Sequence, residues 1–139
     1  MEKLAYLLWN DEPDAGADAF RDRLISQLPD ALSKGGAMRL KISVIDSDVA
    51  SGANRHMGAL APDALVSFWL ECCQDRAEAE AALSSACDRL AGYLVVESHP
   101  LRTQTPAGGS GKRMPGFSLV GCIEPRDGVS QADFVRIWE

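Results

Sequence analysis

Residues 39–45 read RLKISVI and residues 64–72 read ALVSFWLEC, and these two stretches decide the fold class. In the first, polar and apolar side chains alternate with period two, as in a strand that is covered on one face. The second is short and rich in aromatic and branched residues, which is also typical of a strand. Residues 46–63 between them are rich in Ser, Gly, Ala and Asp and predict a long loop.

An amphipathic helix is predicted on each side of this strand pair. In residues 15–34 the apolar side chains recur at spacings of three and four, and Gly35 with Gly36 then supplies a stop. Pro29 predicts a kink or an early end within that helix. Residues 76–90 consist largely of strong helix formers and carry one apolar stripe.

Two further strands complete the pattern. Residues 3–9 (KLAYLLW) are short and apolar, and the Asn-Asp-Glu-Pro sequence that follows them is typical of a loop. Residues 93–99 (YLVVESH) predict the last strand of this unit, which Pro100 closes. The order β-α-β-β-α-β predicts an α+β protein with a ferredoxin-like fold, in which two helices cover one face of an antiparallel four-stranded sheet.

The alternate side chains of these strands form two different sets. One set is purely apolar, and we expect it under the helices: Leu40, Ile42, Val44, Val66, Phe68, Leu70, Leu94 and Val96. The opposite set mixes apolar and polar groups: Lys41, Ser43, Ser67, Trp69, Glu71, Tyr93, Val95, Glu97 and His99. A fully solvated face disfavours Trp69 and Val95, whereas a ligand cavity or a sheet-to-sheet interface favours them. We therefore expect the protein to associate with itself, as a homodimer, through this second face.

Composition and charge exclude several classes of protein. The 139 residues are 46% hydrophobic and 24% charged, which favours one compact domain. A net charge of −6 with scattered basic residues argues against nucleic acid as a partner. The apolar stretches are far shorter than the roughly 18 residues of a membrane span, and no basic region of a signal peptide precedes them. We expect a cytoplasmic protein without a membrane partner.

Cysteine usage and loop motifs indicate neither a metal nor a cofactor. The four cysteines form no CxxC pair, and the chain has only two histidines, which argues against a structural zinc site. Reduced thiols are the simpler interpretation. Residues 107–112 (AGGSGK) fail the phosphate-loop pattern, because Pro106 stands where its first Gly belongs and Arg113 replaces its Ser or Thr.

The C-terminal part predicts the start of a second repeat. Residues 117–124 (FSLVGCIE) have the pattern of a strand, and Ser130 with Asp133 resembles a capping box that begins a helix. We therefore divide the chain into three parts: a ferredoxin-like unit at 1–104, a flexible linker at 105–114, and a strand and helix at 115–139 that open an incomplete second repeat. A chance match between two ordinary strand-loop-helix units is the alternative.

Residues 115–139, PGFSLVGCIEPRDGVSQADFVRIWE, resemble the opening of an EthD-type domain: a strand, a charged turn with Gly, a Ser cap, and a Phe-x-x-x-Trp helix. On this resemblance Phe134 and Trp138 occupy the aromatic positions of the motif. A His usually follows the Trp in this family, and the sequence ends at Glu139 without reaching it. The family is similar in fold to other dimeric α+β barrel proteins, including small polyketide cyclases, muconolactone isomerases and cofactor-free monooxygenases. The resemblance covers about the last 25 residues.

The mixed face of the sheet contains the candidate site residues. Glu97 and His99 are two positions apart on the predicted strand, so that the carboxylate can hold the imidazole as a general acid or base; a surface His99 that ends the strand is the alternative. Trp69 and Tyr93 can stack on a flat organic molecule, although core or interface packing is the commoner use of such residues. Ser67 and Lys41 on the same face supply polar groups for binding.

Three hypotheses follow from these residues. The first is an EthD-like, cofactor-free enzyme of the oxidoreductase, monooxygenase or isomerase type, which acts on an aromatic or polyketide-like molecule in a cavity behind the sheet. The second is a non-catalytic binding or regulatory module, because ferredoxin-like sheets serve many unrelated functions. The third is that the mixed face is a dimer interface and nothing more.

Overall fold

The computed structural model describes residues 1–11, 16–52, 61–97, 112–114, 120–121, 123 and 125–138. The strands within these ranges are β1 (Glu2–Trp9), β2 (Met38–Val44), β3 (Ala64–Leu70) and β4 (Arg89–Val95). The helices are α1 (Gly16–Lys34), α2 (Ser47–Ala50), α3 (Ala77–Ala86) and α4 (Gln131–Trp138), and a short 3₁₀ turn, Cys73–Asp75, precedes α3.

The four strands form one antiparallel sheet in the order β2-β3-β1-β4. Because α1 follows β1 and α3 follows β3, the chain makes the two split crossovers of a ferredoxin-like fold. The predicted α+β class, element order and four-stranded sheet are therefore confirmed. Helices α1 and α3 pack against each other and against one face of the sheet.

The core lies between that face and the two helices. Its buried members alternate along the two central strands and recur every three or four positions along the helices: Leu4, Tyr6, Leu8, Phe20, Leu24, Leu28, Leu32, Ala64, Val66, Phe68, Leu70, Ala79, Leu83 and Ala86. Leu40, Ile42, Val44 and Leu90 pack against this cluster from the edge strands. The apolar set of β2 and β3 therefore lies under the helices, as the alternation predicted.

Helix α1 continues through Pro29 to Lys34 and does not end early. Leu28 and Leu32, on either side of the proline, are fully buried. Burial of two leucines contributes about 3 to 6 kcal/mol, which offsets the roughly 3 kcal/mol cost of an internal proline. The predicted stop is confirmed, because Gly36 has a φ of +79° and the next residue returns a backbone hydrogen bond to Leu32.

The boundary between α3 and β4 differs from the prediction. The helix was expected to reach Leu90, but it ends at Ala86, and β4 begins at Arg89 instead of Tyr93. The Asp88 amide donates to the Trp9 carbonyl and Arg89 pairs with Trp9, so that strand pairing with β1 takes over this stretch. Leu90 packs against the core as a strand residue, and it also fits the apolar stripe of the predicted helix, so the apolar pattern did not distinguish helix from strand.

Two strands end earlier than the sequence suggested, and the predicted long loop contains a helix. Strand β3 ends at Leu70 and β4 at Val95, so Glu71 and Glu97 lie beyond their strands. Leu94 and Val96 were expected under the helices, but their exposed fractions are 59% and 100%. β4 is an edge strand, Leu94 is next to its end and Val96 lies beyond it, so both side chains remain in contact with water.

The C-terminal helix α4 begins where the capping box predicted. The Asp133 amide donates to Ser130 Oγ at 3.1 Å, and the Ser130 hydroxyl donates to the Asp133 carboxylate at 2.8 Å. Phe134 is partly buried, and Trp138 is the last residue of the helix. Most of the predicted strand at 117–124 and of the predicted linker at 105–114 lies outside the described residues.

Candidate functional site

The sheet face opposite the helices carries the candidate binding residues, and we call it the open face. It comprises the side chains of Lys3, Ala5, Leu7, Lys41, Ser43, Leu65, Ser67, Trp69, Ala91, Tyr93 and Val95, which the strand register places on one side. Neither α1 nor α3 covers it, because both helices pack on the other side of the sheet.

A single cross-strand row contains three of the four predicted binding residues. Lys41 on β2 lies opposite Ser67 on β3, Ser67 lies opposite Ala5 on β1, and Ala5 lies opposite Tyr93 on β4. Neighbouring strands are about 4.8 Å apart, so the row is roughly 14 Å long. Ser67 at its centre is 8% exposed, whereas Tyr93 at one end is 53% exposed. The structure thus brings these side chains together, although they are distant in sequence.

Trp69, the fourth predicted binding residue, lies in the adjacent row, between β1 and β2. It is opposite Lys3 on β1 and opposite Met38 on β2. The Lys3 ammonium and the Arg39 guanidinium each lie 5.9 Å from the centroid of its ring, within the range of a cation–π contact. Two cations therefore flank Trp69 on the open face.

Arg39 has an unusual backbone conformation. Its φ is +54°, and it is the one non-glycine residue with a positive φ among the described ranges. The pairing of β2 with β3 shifts register between Met38 and Lys41, which places Arg39 in a bulge. Neither Arg39 nor Lys3 was among the predicted binding residues. Position 3 was detectable from its alternation with Ala5 and Leu7, whereas nothing in the sequence marks a bulge at position 39.

Of the two residues in the predicted acid–base pair, the structure describes Glu97 but not His99. Glu97 lies two residues beyond the end of β4, and its carboxylate forms an ion pair with the Lys3 ammonium. The side chains of Lys3 and Glu97 are 16% and 27% exposed, so the pair is partly shielded from water. His99 lies outside the described residues, and its contact with Glu97 stays a prediction.

A second polar cluster lies where β2 meets α2. The buried Asp46 carboxylate accepts two hydrogen bonds from Arg113, at 2.8 and 3.2 Å, and one from Arg21 on α1, at 3.2 Å. The hydrogen bonds from Arg113 lower the pKa of Asp46, although burial opposes them. Arg113 also forms an ion pair with Asp48, so these ion pairs connect residues 112–114 to the ferredoxin-like unit. We interpret this cluster as structural, because its charged groups satisfy one another.

Tyr6 is a buried polar residue on the helix side of the sheet. Its hydroxyl donates to the Glu80 carboxylate at 3.0 Å, and Arg76 donates to the same oxygen at 3.1 Å. Burial and the Glu80 carboxylate raise the pKa of Tyr6. The hydroxyl is therefore neutral at physiological pH, and the sheet separates it from the open face.

Metal-binding clusters and membrane-spanning helices are both absent from the described ranges. Those residues contain no group of three or more His, Cys, Asp or Glu side chains placed to hold a metal ion. No helix among them combines the length and the apolar composition that a bilayer crossing needs.

No protein-family model matches the chain, and no curated protein matches it. The ferredoxin-like α+β topology therefore rests on the strand order and on the position of the two helices.

Proposed function

We propose that this protein is a small EthD-like enzyme that needs no cofactor, in which two copies pack through their open faces and enclose an aromatic or polyketide-like molecule. The observation that carries the proposal is the cross-strand row of Lys41, Ser67, Ala5 and Tyr93 beside Trp69. It combines aromatic surface with a few polar groups, which is the usual composition of a small-molecule site.

Apolar residues at the centre of the open face support the proposal that a second copy covers it. Ala5 and Leu7 on β1, Leu65 on β3, and Ala91 and Val95 on β4 form an apolar strip, and each of them is only partly buried within one copy. An antiparallel sheet that faces water on one side normally carries polar residues there. A second copy packed on this strip removes it from water and creates a closed space over the row.

The proposed chemistry is proton transfer or oxygen insertion on the enclosed molecule, of the isomerase or monooxygenase type. His99 is the candidate acid or base, and Glu97 is the candidate that orients it. Since Glu97 also pairs with Lys3, a role in orienting His99 requires the carboxylate to be shared between an ammonium and an imidazole.

The association is tested by sedimentation velocity on matched aspartate variants. Leu65→Asp places a charge in the apolar strip, whereas Ile25→Asp places the same charge on the outer side of α1, where the native side chain is already 48% exposed. We expect the wild type and Ile25→Asp to be dimers and Leu65→Asp to be a monomer with a native circular dichroism spectrum. A monomeric wild type, or a dimeric Leu65→Asp, contradicts association through this face.

The catalytic part is tested with His99→Ala in a screen of aromatic ketones for turnover and binding. Loss of turnover with retained binding supports His99 as the catalytic residue. Unchanged turnover removes that residue from the proposal.

A non-catalytic binding module is the second candidate, and the Lys3–Glu97 ion pair favours it. A carboxylate engaged by an ammonium and located beyond its strand is less available to orient a histidine. For this candidate, aromatic ketones bind to the wild type without turnover. A stable dimer that binds none of them leaves the open face as an interface alone.

A further inference from the structure

We propose that Arg39, Trp69 and Lys3 form a recognition site for a small aromatic carboxylate on the open face. This inference rests on the proposed function and names the class of its ligand. The site lies at the β2 side of the sheet, where the guanidinium of Arg39 and the ammonium of Lys3 are both held 5.9 Å from the centroid of the same indole ring.

The first argument is the backbone of Arg39. A positive φ is unfavourable for any residue with a Cβ, and it persists only where the surrounding structure enforces it. Here the bulge between Met38 and Lys41 provides that constraint. Bulges redirect side chains, and this one directs the guanidinium over Trp69.

The second argument is that Arg39 forms no ion pair with a carboxylate of the described residues. Most other described arginines are ion-paired with a described aspartate or glutamate: Arg21, Arg76, Arg89, Arg113 and Arg136. Arg39 has no such pair within the described part of this acidic chain, and its recorded contact is with the Trp69 ring. A guanidinium that is held in place without a carboxylate offers two parallel N–H groups to an incoming anion.

The third argument is the distribution of charge and apolar surface around the ring. Lys3 is neutralised by Glu97, so Arg39 supplies the excess positive charge beside Trp69. The apolar strip includes Leu65 on β3 and continues at Ala5 and Leu7 on β1, which is about 10 Å from β2 at ordinary strand spacing. A ligand that places its carboxylate at Arg39 therefore extends its ring over β3 towards the strip.

The test uses 2-naphthoate, its uncharged isostere 2-naphthamide, and inorganic phosphate, each titrated into the protein and followed by ¹H–¹⁵N NMR at the Trp69 indole N–H. A Trp69→Phe variant assigns that signal. We expect 2-naphthoate to shift the indole signal at concentrations where phosphate does not. Arg39→Asn, a neutral residue that tolerates positive φ, should weaken 2-naphthoate about tenfold or more while leaving 2-naphthamide unchanged.

Two further variants serve as controls for the loss of an arginine charge and for the backbone conformation at position 39. Arg126→Asn removes an exposed arginine from the turn before α4 and should leave 2-naphthoate binding unchanged. Arg39→Gly, which suits the φ of +54° without strain, should reproduce the loss seen with Arg39→Asn in a folded protein.

Equal binding of the two naphthyl probes overturns the anion site and leaves an aromatic site in place. Equal binding of phosphate and 2-naphthoate overturns the aromatic part, and no response to either naphthyl probe contradicts the proposed function itself.

Discussion

The aromatic ring of Tyr6 on β1 occupies the space that a side chain at Gly92 on β4 would need. The two residues face each other in the strand register, and a Cβ placed at position 92 would come within 2.4 Å of Tyr6 Cε1. On its other side the ring stacks on Phe68, with centroids 5.7 Å apart. The lack of a side chain at Gly92 therefore leaves the space that the buried Tyr6 ring occupies.

Gly92→Ala should destabilise the protein by about 1 to 3 kcal/mol, because the added methyl group forces the Tyr6 ring out of its stack on Phe68. Urea denaturation measures the change in the free energy of unfolding. Gly52→Ala is the control, because its added Cβ would meet its nearest neighbour at an ordinary 3.8 Å. A loss of stability equal to that of Gly52→Ala would show that Tyr6 adjusts without cost.

Tyr6→Phe should lower the free energy of unfolding by about 1 kcal/mol near neutral pH, because it removes the hydrogen bond to Glu80. The folded-state pKa of Tyr6 is raised above its ordinary value of 10.0, so the folded protein retains the proton when the unfolded chain loses it. The stabilising contribution is therefore complete below pH 10 and is lost as the pH rises through the folded-state pKa. The difference between wild type and Tyr6→Phe should shrink above pH 10 in urea titrations. A difference that grows with pH contradicts this assignment.

Asp46→Asn should cost about 2 to 3 kcal/mol of stability, because it leaves Arg21 and Arg113 without their shared buried carboxylate. Asp48→Asn is the matched control, since Asp48 pairs with the same Arg113 but is 67% exposed, and little change is expected there. The pKa of Asp46 is lowered from 3.8, so its contribution is present above that pH and is lost as the pH falls through the lower folded-state value. Acid unfolding curves of both variants measure this effect; equal curves for the two contradict it.

Leu24→Ala should destabilise the protein by about 2 to 5 kcal/mol, since Leu24 is fully buried between α1 and the sheet. The neighbouring Ile25 is 48% exposed, and Ile25→Ala should have a much smaller effect. Thermal and urea unfolding of the two variants compare the two faces of one helix. Similar losses for both variants would place Ile25 in a buried interface.

The sequence predicted which side chains share a face of the sheet better than it predicted where the strands begin and end. The alternation of residues 39–45 and 64–72 placed Lys41, Ser67 and Trp69 together, because side chains on a strand alternate whatever the strand pairs with. The start of β4 was wrong by four residues, because Leu90 is apolar in both possible conformations. Its true start depends on hydrogen bonds to Trp9, which is 80 positions away in the chain.

The sequence by itself determined the order of elements and the character of each face, since helical and strand periodicities are properties of neighbouring residues. Tertiary structure decided which partners those faces meet: Tyr6 with Gly92, Asp46 with Arg113, and the bulge that holds Arg39 over Trp69. These contacts depend on strand register and on chain segments far apart in sequence. A local pattern cannot specify them, because a shift of one residue in register reverses the face of every side chain on a strand.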